Sequence, residues 1–251
     1  MNSVNLIAFD LDGTLAQSKS KIDESMSEIL GRLIDTIQVC VISGGKYEQF
    51  DQNLLRLLPH GTNLTNLHIL PTSGTRYYRH LPSGWKQVYA YDLTEPEKKQ
   101  IVQIIENAAR SLNLWEEFTY GPRIEDRGSQ ITFSALGQEA PVEVKLQWDP
   151  DNTKKEQLRS LISMDLSGYR VASGGSTSID VTKRGVDKAY GLSELALATG
   201  LDLEKFIFVG DRLDPGGNDA PVKKLGIQTY QVKGPSETKL FIQGFLLAAG
   251  D

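Results

Sequence analysis

Apolar runs alternate with amphipathic stretches in the first third of the chain. The run from Val4 to Phe9 is apolar and rich in β-prone residues, which predicts a strand buried on both faces. Further strands are predicted over Gln38 to Ile42 and His68 to Pro71, with a helix over Tyr47 to Leu58 between them. An earlier helix is predicted from apolar residues at a helical spacing, namely Met26, Ile29, Leu30, Leu33 and Ile34. This order of strands and helices predicts a parallel sheet with crossover helices.

The pattern changes in the middle of the chain. Residues Tyr77 to Tyr91 are rich in aromatic side chains around a Pro82-Ser83-Gly84 turn, which predicts a hairpin. Thr94-Glu95-Pro96-Glu97 has the pattern of a capping box and predicts the start of a long helix. A polar helix is predicted near Asn152, and strands are predicted over residues 129–136, 142–148, 169–172 and 178–181. We interpret residues 82–183 as an inserted α+β domain.

The strand and helix alternation returns after this insert. A helix is predicted from Val186 to Ala198, and a strand from Phe206 to Val209 ends in Gly210-Asp211. We therefore predict an α/β fold, in which residues 1–81 and 184–251 form a Rossmann-like, doubly wound parallel sheet core that carries the inserted domain.

Composition and charge exclude several classes of function. The 27 basic and 32 acidic residues leave no basic surplus of the kind that indicates nucleic-acid binding. No apolar run approaches the roughly 18 residues that a membrane span needs, and the N-terminus lacks a basic leader. The single cysteine, Cys40, lies within an apolar strand and is predicted to be buried rather than reactive. We expect a soluble, cytoplasmic protein that binds neither nucleic acid nor membrane.

Polar residues suited to phosphate or metal chemistry follow three of the predicted strands. Asp10 and Asp12 come at the end of the first strand, Ser43 follows the second, and Asp211 follows the strand near residue 209. In open parallel sheets, ligands bind at the carboxyl ends of the strands, so we expect these side chains to be neighbours. Two carboxylates about 4 Å apart repel by roughly 4 kcal/mol at an effective dielectric constant near 20, which indicates a cation beside them. A solvated Asp-x-Asp-Gly turn is the alternative interpretation of this tetrapeptide alone.

The run Asp10-Leu11-Asp12-Gly13-Thr14-Leu15 resembles the first motif of the haloacid dehalogenase superfamily of phosphoryl-transfer enzymes. Ser43 matches the second motif, Lys188 the third, and Gly210-Asp211 with Asn218-Asp219 the fourth. The four motifs occur in order, so the resemblance spans nearly the whole chain. The insert between the second and third motifs resembles the large α/β cap of the sugar-phosphatase and phosphomannomutase branch.

Two further runs are closest to the eukaryotic-type phosphomannomutases. These are the extended fourth motif, Gly210 to Asp219, and the run from Gly174 to Asp180 in the insert. The resemblance implies a Mg²⁺ cofactor and a sugar-phosphate substrate, and it leaves open a homodimer formed through the cap.

The resemblance also implies a role for each motif residue. Asp10 would attack phosphorus and form an aspartyl-phosphate, while Asp12 would act as the general acid and then as the general base. Ser43 and Lys188 would hold the phosphoryl oxygens. The implied Mg²⁺ site has the oxygen ligands that this ion prefers, namely Asp10, the backbone carbonyl of Asp12 and Asp211, supported by Asn218 and Asp219.

Substrate-binding residues separate a phosphatase from a mutase, because a mutase needs a second phosphate site in its cap. The residues that the resemblance implies for substrate binding are Lys19, Gly44, Arg127, Lys145, Ser178 and Asp180. However, Lys19, Gln138 and Lys145 stand where the phosphomannomutase pattern has arginine. Lysine lacks the bidentate fork of arginine, and glutamine lacks its charge.

The second motif, Val41-Ile42-Ser43-Gly44-Gly45, resembles that of the hydrolytic branch. We therefore predict a Mg²⁺-dependent phosphatase that hydrolyses small phosphorylated metabolites, in particular sugar phosphates. The alternative is a phosphomannomutase that interconverts mannose 1-phosphate and mannose 6-phosphate. A non-catalytic sugar-phosphate-binding protein is a third hypothesis, which the presence of both Asp10 and Asp12 disfavours.

Overall fold

The structure, a computed structural model, describes residues 4–17, 20–173 and 177–250. The chain divides into two compact units: Met1–Ala90 with Asp187–Asp251, called here the core unit, and Tyr91–Val186, called the inserted unit. The sequence placed the boundaries after residues 81 and 183. The first boundary differs because the whole aromatic hairpin pairs with the sheet of the core unit.

Strands and helices alternate in the core unit and are grouped differently in the inserted unit. The described strands are β1 (Leu6–Asp10), β2 (Gln38–Ile42), β3 (Leu67–Leu70), β4 (Arg76–Leu81), β5 (Gly84–Ala90), β6 (Ile124–Asp126), β7 (Gln130–Ser134), β8 (Tyr169–Ser173), β9 (Ser178–Lys183), β10 (Phe206–Gly210) and β11 (Gln228–Gln231). The described α-helices are α1 (Glu24–Thr36), α2 (Tyr47–Asn53), α3 (Glu95–Ser111), α4 (Val142–Trp148), α5 (Thr153–Asp165), α6 (Lys188–Thr199) and α7 (Pro235–Ala249). None of these helices combines the length and the apolar character that a membrane span requires.

Among the described residues, the core unit contains a seven-stranded sheet with the strand order β11-β10-β1-β2-β3-β4-β5. The first five strands in this order are parallel, and the hairpin of β4 and β5 adds two antiparallel strands at one edge. β1 is central, with Phe9 aligned to Val209 of β10 and to Val41 of β2. The predicted α/β fold with a Rossmann-like core is therefore confirmed.

Both faces of β1 are buried, as its apolar sequence predicts. Ile7 and Phe9 belong to a cluster with residues of α1 and α7, whereas Leu6 and Ala8 belong to a cluster with residues of α6. Helices therefore cover both faces of the sheet, which is the doubly wound arrangement. Helix α7 has no counterpart among the predicted elements, because apolar residues such as Leu240 also occupy its exposed positions and blur the amphipathic pattern.

The inserted unit is built on an antiparallel sheet with the strand order β6-β7-β9-β8 among the described residues. One face of the sheet is apolar, and Phe133 and Ile179 pack there in a cluster with residues of α3 and α5. The opposite face carries polar side chains such as Thr132 and Asp180, because successive residues of a strand point to opposite faces. The unit has the predicted α+β character.

The prediction of a strand over residues 142–148 is wrong, because this segment is helix α4. The alternation of apolar and polar residues suggested a strand, yet Leu146 is exposed while Trp148 is buried. Alternation over only seven residues does not distinguish a strand from a helix when the segment contains glutamate, lysine, leucine and glutamine, because all four residues favour helices. Pro141 directly precedes the helix, where its missing N–H costs no helical hydrogen bond.

A buried polar network links β3 to its neighbours. In His68, Nδ1 lies 2.7 Å from the Tyr77 hydroxyl and Nε2 lies 2.8 Å from Oε1 of Gln38. Because an amide oxygen only accepts, Nε2 carries the proton and Nδ1 accepts from Tyr77. Burial, together with the charge of Arg79, lowers the pKa of His68 to about 4. The folded state therefore holds His68 in its neutral form.

We expect the free energy of unfolding to fall as the pH drops from about 6.5 to about 4. In this window an unfolded histidine takes up a proton that folded His68 does not, so stability is lost toward acid pH. Urea denaturation should show that His68 contributes up to about 3 kcal/mol to this loss and that His68→Gln removes the contribution. His60 is exposed, so His60→Gln should behave as wild type. Equal pH dependence in all three proteins would contradict the assignment.

Candidate active site

Three neighbouring strands of the core sheet end at polar residues. β1 ends at Asp10, Ser43 directly follows β2, and Asp211 directly follows β10. In the parallel register, Asp10 is aligned with Ile42, the last residue of β2. The three polar residues therefore lie at the same edge of the sheet.

Lys188, the first residue of α6, joins this edge to the loop after β10. Its Nζ donates to Oδ1 of Asp10 and to Oδ1 of Asp219, both at 2.5 Å, and all three side chains are at most 3% exposed. Helix α6 begins at this point because Asp187 caps it: its Oδ1 accepts from the backbone N–H of Tyr190 at 3.0 Å. The cap and the ion pair together set where the ammonium lies.

Burial is the largest cause of the raised pKa of the carboxyl groups in this cluster. It raises the pKa of Asp10 to about 7, an effect that Lys188 opposes and Asp219 reinforces. Burial acts to lower the pKa of Lys188, but the two carboxylates outweigh it, so the pKa is raised and the side chain stays an ammonium. Burial and the charge of Asp219 also raise the pKa of Asp211. The single ammonium of Lys188 therefore does not balance the negative charge of the three neighbouring carboxylates.

Asp10, Asp211 and Asp219 form a carboxylate triad that fits a Mg²⁺ ion. Each offers a carboxylate oxygen, and these oxygens lie within 4.8 Å of one another. Within the described part of the chain, Oδ1 of Asp211 is buried and has no hydrogen-bond partner, and a cation would satisfy it. Mg²⁺ prefers hard oxygen ligands, commonly one or two carboxylates completed by water and substrate phosphate. The donor set therefore fits the cofactor that the sequence predicts.

Gly13 lets the loop after β1 approach the triad. Its φ is 82°, a left-handed conformation that favours glycine. A Cβ atom at this position would lie 2.4 Å from Oδ2 of Asp211, which is far inside van der Waals contact. The N–H of Gly13 donates to the carbonyl of Ala16 at 2.8 Å, and the hydroxyl of Thr238 in α7 donates to the carbonyl of Thr14 at 2.8 Å. The loop is therefore held from both sides.

The remaining acidic and amide residues of the first and fourth motifs differ in burial and in their contacts. Asp12 is half-buried, and among the described residues its carboxylate is not part of the triad. Asp219 is fully buried, and its Oδ2 accepts from the backbone N–H of Arg212 at 3.0 Å. Asn218, which the sequence grouped with Asp219, is exposed. The pairing of Asp219 with Lys188 is the contact that the sequence motifs did not reveal.

Ser43 lies buried in the loop that follows β2. Its Oγ accepts from the backbone N–H of Gly45 at 3.2 Å, and its backbone N–H donates to the carbonyl of Leu70 at 3.3 Å. Gly44 is half-buried, and a Cβ atom there would meet nothing within 4 Å. Packing within the chain therefore does not demand glycine at this position, and the space suits a ligand that approaches the backbone.

Arg127, a predicted substrate-binding residue, is paired within the inserted unit. Its Nε and Nη2 both donate to Oε2 of Glu125, at 2.9 and 2.7 Å. The two side chains are 13% and 19% exposed, so the pair is partly shielded from water. A phosphate would compete with Glu125 for this guanidinium. Lys19, which with Gly44 is predicted to bind substrate in the core unit, lies outside the described residues, as do residues 174–176 of the motif in the insert.

The remaining predicted residues of the inserted unit lie on or beside its sheet. Nζ of Lys145 donates to the carbonyl of Gln138 at 2.9 Å, and Asp180 accepts from the hydroxyl of Thr132 at 2.8 Å. Ser178 begins β9 and is buried. Asp180 and Ser178, two residues apart in one strand, share the polar face of the sheet.

The chain is similar to known proteins along most of its length. Residues 7–221 match the family model described as haloacid dehalogenase-like hydrolase. Phosphomannomutase 1 of Mus musculus is 28% identical over 225 residues, which cover 85% of this chain and 81% of that protein. A probable phosphomannomutase of Caenorhabditis elegans is 24% identical and covers 98% of this chain and 96% of that protein.

Solved structures share the fold. The ATP-bound IMP-nucleotidase of Plasmodium falciparum superposes with a TM-score of 0.74 at 18% identity, over 96% of this chain and 60% of that chain. A haloacid dehalogenase-like hydrolase from Bacteroides thetaiotaomicron superposes with a TM-score of 0.65 at 20% identity, over 97% of this chain and 100% of that chain. At these identities the likeness establishes the fold alone.

We expect Mg²⁺ to raise the melting temperature of the wild-type protein but not that of Asp211→Asn, because a bound ion stabilises only a fold that can hold it. Without Mg²⁺, Asp211→Asn should melt slightly higher than wild type, since it removes a carboxylate that Asp219 repels. Thermal melts over a Mg²⁺ titration measure both effects. Asp214 lies in the same loop and pairs with Arg212, so Asp214→Asn is the matched control. An equal Mg²⁺ response in both variants would contradict the site.

Thr238→Val should lower the free energy of unfolding by about 1–3 kcal/mol, because it removes the hydroxyl that satisfies the buried carbonyl of Thr14. Urea denaturation provides the measurement. Thr199 donates to the carbonyl of Leu195 within its own helix, so Thr199→Val makes the same chemical change away from the loop and should cost less. A loss no larger than that of Thr199→Val would show that α7 does not hold the motif loop.

Proposed function

The chain belongs to the haloacid dehalogenase-like hydrolases, and we propose that it is a Mg²⁺-dependent phosphatase of small phosphorylated metabolites, in particular sugar phosphates. One observation carries the proposal. Asp10 lies buried at the sheet edge, bonded to Lys188 and close to the carboxylates of Asp211 and Asp219. A carboxylate nucleophile, an ammonium and a metal-binding acidic cluster are the groups that phosphoryl transfer through a covalent intermediate requires.

In the proposed reaction, a carboxylate oxygen of Asp10 attacks phosphorus and the P–O ester bond breaks, which leaves an aspartyl-phosphate. Asp12 donates a proton to the departing oxygen. Asp12 then takes a proton from a water molecule, whose oxygen attacks phosphorus, and the bond between Asp10 and the phosphoryl group breaks to release inorganic phosphate. Mg²⁺ held by Asp10, Asp211 and the carbonyl of Asp12 would neutralise negative charge on the phosphoryl oxygens.

Ser43 and Lys188 are proposed to hold the phosphoryl oxygens. The oxygen of Ser43 accepts from the N–H of Gly45, so its own proton remains to be donated to a ligand. Lys188 is kept cationic by Asp10 and Asp219 and offsets the charge that builds on the transferred group.

We assign substrate selection to the inserted unit, as a cap domain. Its charges favour hydrolysis over a mutase reaction. A second phosphate, with a charge of about −1.5 to −2, needs cations that are not already paired. Arg127 shares its guanidinium with Glu125 and Gln138 is neutral, while Lys145 is cationic but lacks the bidentate fork of arginine. This site holds a monophosphate with hydroxyl groups better than it holds a bisphosphate.

Phosphomannomutase activity is the second candidate, with a sugar hydroxyl in place of water. It is favoured by the relatives that carry that name along 85% and 98% of this chain and by Ser178 and Asp180, which match the sugar-phosphate site of that branch. A purely binding role is disfavoured, since both Asp10 and Asp12 are present.

A phosphorus NMR time course separates these reactions. Purified protein is incubated with Mg²⁺ and mannose 1-phosphate, with and without a catalytic amount of mannose 1,6-bisphosphate. The phosphatase predicts growth of inorganic phosphate that does not depend on the bisphosphate. The mutase predicts conversion to mannose 6-phosphate that depends on it. If neither occurs, a panel of other sugar phosphates and nucleoside monophosphates tests the wider class, and inactivity on all of them would refute both proposals.

Asp10→Asn controls this experiment. We expect it to retain less than about 1% of the wild-type rate with an unchanged fold, because losing covalent catalysis raises the barrier by several kcal/mol. A higher residual rate, with contaminating phosphatase excluded by an identically purified blank, would contradict the role of Asp10 as nucleophile.

A further inference from the structure

The segment Thr72-Ser73-Gly74, called here the bridging turn, follows β3 in an unusual conformation. Its three residues have φ angles of 48°, 56° and 86°, so two consecutive residues with side chains adopt the left-handed region. Such residues cost free energy and persist only where the surrounding structure holds them in place.

The bridging turn is bonded on one side to the loop that carries Ser43. The backbone N–H of Ser73 donates to the carbonyl of Ser43 at 2.9 Å, and the N–H of Thr72 donates to the carbonyl of Gly45 at 2.9 Å. The left-handed conformation directs both N–H groups toward this loop. The hydroxyl of Thr75 supports it by donating to the carbonyl of Thr72 at 2.9 Å.

On the other side the bridging turn packs directly against α6, which carries Lys188. A Cβ atom at Gly74 would lie 2.2 Å from Cα of Gly191, and a Cβ atom at Gly191 would lie 2.6 Å from the carbonyl oxygen of Ser73. Gly191 comes three residues after Lys188, about one helical turn. The two backbones therefore touch with no side chain between them, and a movement of the turn displaces the helix.

We propose that the bridging turn is a positioning element that sets Ser43 and Lys188 at a fixed distance from each other. Its positioning residues are Thr72, Ser73 and Gly74, together with Gly191 on the helix. The inference rests on the proposed function, in which these two groups hold the phosphoryl oxygens. Groups that bind a phosphoryl group act well only when their geometry is held within about 0.5 Å. A backbone-to-backbone contact between two separate elements provides that precision.

Gly191→Ala tests the proposal, because the added methyl group must push α6 away from the bridging turn. Gly244 is also a helical glycine, but a Cβ atom there meets nothing within 4 Å, so Gly244→Ala is the matched control. Binding of inorganic phosphate in the presence of Mg²⁺ is measured by calorimetry. The expected results are at least tenfold weaker binding and at least tenfold lower kcat for Gly191→Ala, and values within twofold of wild type for Gly244→Ala.

Thr75→Val keeps the proposal testable if Gly191→Ala does not fold. It removes the hydrogen bonds that the hydroxyl of Thr75 makes to Thr72 and adds no bulk. We expect at least threefold weaker phosphate binding from protein that remains folded by circular dichroism. A merely structural role would lower the melting temperature without changing phosphate affinity or kcat per folded molecule.

Coupling to Ser43 provides the last measurement. If a shifted bridging turn displaces the hydroxyl of Ser43, then Ser43→Ala should weaken phosphate binding in the wild-type background and much less in the Gly191→Ala or Thr75→Val background. Full additivity, or unchanged phosphate affinity in both folded turn variants, would overturn the positioning role. A wild-type protein that neither binds phosphate nor hydrolyses phosphate esters would instead refute the proposed function, and this inference with it.

Discussion

The core unit depends on one buried interaction, the ammonium of Lys188 between the carboxylates of Asp10 and Asp219. The partners of Lys188 are 178 and 31 residues away in sequence, so the interaction forms only when β1, α6 and the loop after β10 have all come together. Removing one partner of a buried ion pair typically costs about 3–5 kcal/mol. With Asp211 nearby, the cluster holds more carboxylates than cations. This excess of negative charge is compatible with a bound divalent cation.

Glycine makes this convergence sterically feasible. Gly13 and Asp211, like Gly74 and Gly191, are separated by less than a side chain would occupy. At Gly210, a Cβ atom would lie 2.4 Å from Oδ2 of Asp219. The first two contacts join segments that follow different strands, whereas the third joins the end of β10 to the loop that follows it. In each case a residue larger than glycine would not fit without displacement. The active-site edge is therefore compact because glycine lets backbone approach backbone at Gly74 and Gly191, and lets backbone approach a carboxylate at Gly13 and Gly210.

Local patterns in the sequence predict most of the fold, but they do not predict which distant segments come into contact. The apolar run before Asp10 predicts β1, the alternation of strands and helices predicts the sheet, and the order of the four motifs indicates the family. Alternation over residues 142–148 wrongly predicts a strand, because four of the seven residues are good helix formers and so short a pattern carries no information about a strand partner. The pairing of Asp219 with Lys188 joins two segments that only the folded sheet brings together. The partner of Arg127 is local in sequence, since Glu125 lies two residues earlier in β6 and Arg127 directly follows that strand.

The two reactions proposed for this chain share their first step, the proposed attack by Asp10 in the core unit. The two reactions differ in the acceptor of the phosphoryl group, which is water in one and a sugar hydroxyl in the other. A mutase must also hold the second phosphate while the bound sugar reorients. Hydrolysis results when water reaches the aspartyl-phosphate before a sugar hydroxyl does, and it releases inorganic phosphate. In the inserted unit, Glu125 already pairs with the guanidinium of Arg127. Gln138 and Lys145 stand where the phosphomannomutase pattern has arginine, and neither can bind a phosphate through the bidentate fork of arginine. Under the proposed function, charge in the inserted unit therefore distinguishes a phosphatase from a mutase more than any feature of the catalytic cluster does.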